Sequence, residues 1–69
     1  MADIWYGEPD PCDFCHKPVT DGFVDGKTRV RGIWGTMCLK CYPLYGLGIR
    51  PGLGQKYLKQ NNQYVKVEG

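Results

Sequence analysis

A chain of 69 residues holds one domain at most, and a domain this small buries only ~60 % of the surface its unfolded form exposes. With 42 % hydrophobic and 23 % charged residues the balance is globular and not that of a disordered chain, and the formal net charge is +2. There is no serine and a single histidine, which excludes a Ser–His–Asp triad, and no apolar run approaches the ~18–20 residues of a membrane span.

The first eleven residues carry Ile4, Trp5 and Tyr6, then Gly7-Glu8-Pro9-Asp10-Pro11. They predict an extended lead-in whose aromatic patch folds back over the core, with a partner-binding arm as the alternative. Acidic residues stand where a secretory signal would need a basic and then an apolar region, so a cytoplasmic setting is expected.

Cys12-x-x-Cys15 and Cys38-x-x-Cys41 follow, with 22 residues between the pairs. Two residues between thiolates let a tight turn aim both sulfurs at one point, and two such turns complete a tetrahedron. That geometry and that soft ligand set suit one structural Zn²⁺. Disulfides are disfavoured: a bond within C-x-x-C closes a tiny loop, and no secretion signal is evident. Iron in the same four-thiolate site is the chemical alternative. Four cysteine ligands fill the shell and leave no position for a catalytic water, so no enzyme is expected. His16 adjoins Cys15 but is not needed as a ligand.

Val19–Val24 reads as a strand, and Asp25-Gly26 as a hairpin turn. Lys27-Thr28-Arg29-Val30-Arg31 alternates with period two, which places Lys27, Arg29 and Arg31 on one strand face. Trp34 and Met37 are expected in the core beside the metal. Pro43 can open a helical turn but not sit within one, which predicts a turn or two over residues 42–46, stopped by Gly46.

Residues 46–56 form a glycine-rich segment that matches no phosphate-binding fingerprint. A loop crossing closely over another segment is the favoured reading, and an anion loop using Arg50 and Lys56 the alternative. Residues 56–68 read as a hairpin around Asn61-Asn62 that pairs Gln60 with Gln63, Lys59 with Tyr64, Leu58 with Val65 and Tyr57 with Lys66. Leu58, Val65 and Val67 are expected on the buried face. Tyr57, Lys59, Tyr64 and Lys66 then form an exposed aromatic and basic face.

The whole chain thus reads as a single four-cysteine, zinc-stabilised, mainly β domain, with two knuckles, β-hairpins and one short helical turn. Residues 1–31 carry net −2 and residues 32–69 net +4. Four thiolates with one Zn²⁺ bring the loaded chain near neutrality, so recognition must rest on local surface. Two surfaces are candidates for nucleic acid: Lys27/Arg29/Arg31, and Tyr57/Lys59/Tyr64/Lys66, where rings stack on bases beside cations. A protein-interaction module that docks on or inhibits a host protein is the alternative, carried by Trp5, Tyr6, the glycine loop and the hairpin edge. No membrane and no small-molecule substrate is expected.

The order of features resembles a group of small four-cysteine proteins encoded by tailed phages and prophages. The matching residues are Cys12-x-x-Cys15, Asp25-Gly26-Lys27-Thr28 and Gly32-x-Trp34-x-x-Met37-Cys38-x-x-Cys41. Tyr45-Gly46-x-Gly48, Gly52-x-Gly54-Gln55-Lys56-Tyr57 and Val65-Lys66-Val67-Glu68-Gly69 continue the pattern. Pro43 and the Arg50-Pro51 step depart from it. The resemblance implies a phage origin and a zinc-ribbon fold, or a treble clef as the alternative. It implies no mechanism.

Overall fold

The computed structural model describes residues 3–69; Met1 and Ala2, the start of the expected lead-in, lie outside the described residues. The elements are β1 (Ile4–Trp5), β2 (Gly22–Lys27), β3 (Trp34–Cys38), α1 (Tyr42–Tyr45), β4 (Gly54–Gln60) and β5 (Gln63–Glu68). The strands form one antiparallel sheet in the order β1-β5-β4-β2-β3. The fold is mainly β with one short helix, as the sequence predicts.

The terminal hairpin takes the expected register at all four pairs, from Gln60 with Gln63 to Tyr57 with Lys66. Its turn is set locally: Asn61 (φ 50°) and Asn62 (φ 65°) both adopt the positive φ that a type I′ turn needs. The expected orientation of that hairpin is corrected. Tyr57 is 7 % exposed, and Tyr64 is half-buried, so the face expected to be open is the core face. Leu58 and Val65 are half-buried on the other side. A bulge beside Lys56 and Tyr57 displaces Val67, which is exposed.

Phe23 explains the inversion. It is fully buried on β2, with Tyr57 stacked on it at 5.0 Å and Trp5 and Tyr64 edge-on at 5.2 and 5.4 Å. Large rings bury more apolar area than Leu or Val, so they take the inner face. β1 brings Trp5 to this cluster by pairing with β5, so the expected N-terminal cover is supplied by Trp5, whereas Tyr6 is 87 % exposed and covers nothing.

Asp25-Gly26 is not a turn. Both residues lie inside β2, with Gly26 opposite Gly35 of β3 on one side and Gly54 of β4 on the other. A Cβ on Gly26 would meet Gly54 Cα at 2.7 Å, and one on Gly54 would run into Gly48 O. Glycine serves close approach here, and the closely crossing loop that the sequence favours over 46–56 is found over 46–53 only, because Gly54, Gln55 and Lys56 already belong to β4. The β2–β3 turn lies further on, where Arg31 (φ 58°) and Gly32 (φ 65°) supply the positive angles and Ile33 N–H donates to Val30 O at 3.1 Å. The expected basic strand is corrected with it. β2 ends at Lys27, and Arg29 and Arg31 belong to the turn, so the three cations do not share a strand face. Met37 is fully buried as expected. Trp34 is not a core residue: it is 43 % exposed, and its Nε1–H donates to Asp25 Oδ1 at 2.8 Å.

Candidate metal centre

Three pieces of chain converge on the four cysteines. Cys12 and Cys15 lie on a loop whose turn is closed by His16 N–H donating to Cys12 O at 2.9 Å and Cys12 N–H donating to Lys17 O at 3.0 Å. His16 completes that turn at φ 63°, an angle a non-glycine residue adopts only where the fold demands it. Cys38 ends β3, and Cys41 precedes α1, with Cys41 N–H donating to Cys38 O at 3.1 Å. The short helix spans Tyr42–Tyr45 with Pro43 in its first turn, and Gly46 N–H closes it on Tyr42 O, as the sequence predicts.

The first knuckle is fastened to β3 as if it were a further strand. Asp13 N–H donates to Thr36 O, and Thr36 N–H donates to Asp13 Oδ2, both at 2.9 Å. Phe14 stacks on Tyr45 with ring centroids 4.0 Å apart, which joins the first knuckle to α1. Tyr64 O–H donates to Val19 O at 2.9 Å and pins the chain leaving that knuckle to β5.

The four sulfurs all lie within 4.8 Å of one another, and Cys15 Sγ is 3.7 Å from Cys38 Sγ. A regular tetrahedron with metal–sulfur bonds of ~2.3 Å has edges of ~3.8 Å, so the spacing suits one ion held by four thiolates. A disulfide would need ~2.05 Å, and all four cysteines are free. His16 is exposed and outside the ligand group.

The electrostatics of the group ask for a cation. Burial raises the Cys12 thiol pKa, but the backbone N–H groups of Cys15, Cys38 and Phe14 and the Cys41 thiol outweigh it and bring the value down to about 6. Burial, and after it the thiols of Cys38, Cys12 and Cys15, push Cys41 up to about 12. One thiolate formed here opposes the next until a positive charge is shared among them. Cys12 is buried within the Phe23–Tyr57 core, Cys38 and Cys41 pack against it, and Cys15 faces solvent. The ligands are therefore continuous with the hydrophobic core, not appended to it.

Beside the sulfurs lies a cleft of about 360 Å³ bordered by Cys15, Lys17, Val19, Asp21, Leu39 and Lys40. Its charged side chains are exposed.

The other expected site residues are dispersed. Tyr57 is in the core. Lys66 is bound to Asp3 by an ion pair of 2.8 Å, which holds the Asp3 carboxyl below its ordinary range and raises the Lys66 ammonium. Lys59 is exposed, with its Nζ 5.9 Å from the Tyr64 ring centroid. Arg50 is exposed at an isolated bridge to Gly54, while Lys56 is half-buried within β4 opposite Val24 and Glu68. Sequence reasoning missed the structural work of Asp13 and Asp25. A carboxylate's partner across the sheet leaves no mark in local sequence.

Among the described residues no helix is long and apolar enough to cross a membrane. Comparisons with protein-family models, with curated proteins and with solved structures find no significant match. The fold and the sulfur geometry therefore define the chain as a small, mainly β domain whose four clustered cysteines can hold a metal ion.

Proposed function

We propose that the chain is a non-catalytic recognition module organised by one structural Zn²⁺ on Cys12, Cys15, Cys38 and Cys41, and that its partner is a protein. The observation that supports this is the sulfur group: four thiols at tetrahedral spacing, continuous with the core, occupy every position of the shell. Such a centre holds a fold together and has no place for substrate.

The aromatic and basic face of the terminal hairpin, one of the two surfaces expected to bind nucleic acid, is not open. Tyr57 is instead in the core, Lys66 is paired with Asp3, and the Tyr64 hydroxyl is bonded to Val19 O. That leaves Lys27, Arg29 and Arg31, which stand among exposed aliphatic side chains and one exposed ring, Trp34, opposite Lys27 and held by its Nε1–H on Asp25. The order of motifs resembles phage-encoded proteins, and within that origin the role proposed is a product that docks on or inhibits a host protein.

The test is metal analysis of reduced protein, followed by cobalt substitution. One Zn²⁺ per chain is expected. The Co²⁺ form should show the intense visible bands of a tetrahedral four-thiolate site, unmoved by azide or cyanide. Absence of metal, or bands that shift when an anion is added, overturns the reading.

A further inference from the structure

Among the described residues seven large hydrophobic side chains are exposed, and five of them fall between residues 30 and 47: Val30, Ile33, Trp34, Leu44 and Leu47. Backbone bonds sew together the two segments that carry them. Arg29 N–H donates to Tyr45 O at 2.7 Å, Leu47 N–H to Lys27 O at 3.3 Å, and Thr28 pairs with Gly46 as an isolated bridge. Thr28 N–H donates in turn to Ile33 O at 2.9 Å. The tip of the β2–β3 turn and the chain leaving α1 therefore make one surface.

That surface is basic as well as apolar. Lys27, Arg29 and Arg31 are exposed on it, and the sole ion pair among the described residues, Asp3 with Lys66, involves none of them. Asp25, the nearest acid in the sequence, is engaged by Trp34. Arg29 Nε–H donates to Gly46 O at 3.4 Å, and neither Arg29 nor Arg31 has an acidic partner among the described residues. Exposed aliphatic side chains gathered at one place mark an interaction site, and arginines beside them suit the carboxylates of a protein that covers it.

We infer that the Val30/Ile33/Leu44/Leu47 surface, with Arg29 and Arg31, docks an acidic protein segment that carries aliphatic side chains. The proposal rests on the recognition-module reading above and names its partner chemistry. The metal bears on it directly: Leu44 and Leu47 follow Cys41 by three and six residues, so the ligand that starts α1 also sets where they stand.

The experiment titrates ¹⁵N-labelled, zinc-loaded full chain with three probes: a synthetic peptide alternating Leu and Glu, the same peptide with Lys for Glu, and a short DNA duplex. The acidic peptide should move the amide signals of residues 28–33 and 44–47. Its Kd should rise about tenfold in Arg31→Asn, where one charge-assisted contact of ~1.5 kcal/mol is lost. Asn suits the positive φ at that position, so a loss of binding there does not report misfolding. Ile33→Ser should weaken binding as well. The inference is overturned if the acidic peptide leaves these amides unmoved at millimolar concentration, or if the basic peptide binds equally well. It is also overturned if the duplex occupies the same amides more tightly, or if self-association of the free chain already covers them. A closed cobalt site without peptide binding removes this surface and leaves the module reading standing; absence of metal removes the module reading itself.

Discussion

Withdrawing the metal under reducing conditions should unfold the chain. At ~0.05–0.15 kcal/mol per residue, a domain of 69 residues has a total stability of ~3–10 kcal/mol. Structural Zn²⁺ supplies ~10–16 kcal/mol in small finger peptides, as much as the whole stability or more. The structure shows where that energy acts. The ion would tie the first knuckle, the end of β3 and the start of α1 at one point, and the Asp13–Thr36 bonds and the Phe14–Tyr45 stack depend on that convergence. The assay is amide dispersion in ¹H–¹⁵N spectra with a chelator and a thiol reductant, then restoration by Zn²⁺. Collapse to an unfolded spectrum is expected. A dispersed spectrum and cooperative melting in the chelated, reduced protein would refute the reasoning.

Phe23→Ala, which removes the ring that Trp5, Tyr57 and Tyr64 all touch, should cost ~3–5 kcal/mol in urea unfolding of the zinc-loaded protein. Gly54→Ala should cost ~1–3 kcal/mol in the same assay, because the added methyl meets the Gly48 carbonyl. Arg31→Asn should instead stabilise by ~1 kcal/mol, which is a rise in Tm of ~4–8 °C for a domain of this size. The ion pair gives a pH signature. Asp3 has its pKa lowered by Lys66, so its contribution is full above the unfolded value of 3.8 and disappears as pH falls through the lower folded value. Lys66 is raised by Asp3, so its share is full below 10.5 and disappears as pH rises through the higher folded value. The stability difference between the native chain and Asp3→Asn should be flat between these limits and vanish outside them.

Features fixed by short-range chemistry were legible in the sequence. Cysteine spacing located all four sulfurs, Pro43 and Gly46 bounded the single helical turn, and Asn61-Asn62 set the register of the last hairpin. Features decided across the sheet were not. Tyr57 and Leu58 both offer an apolar face, and only Phe23 on β2 settles which is inside. Asp25-Gly26 carries the composition of a turn, but Gly26 is needed where Gly35, Gly26 and Gly54 line up across three strands. Arg31-Gly32 makes the turn instead, at an angle an arginine rarely adopts. The basic strand failed for the same reason: alternation continues in the sequence past the point at which the chain turns.

The bonds between Asp13 and Thr36 have a bearing on how this protein behaves at high concentration. A β3 margin left bare would be a template for another molecule's strand, and the chain covers it with a single aspartate held in place by its own knuckle. Stripping the ion would uncover that template at the moment the aromatic interior opens, so the unfolded pool that dilute chelated protein shows would pass to fibrous or amorphous precipitate as the concentration rises.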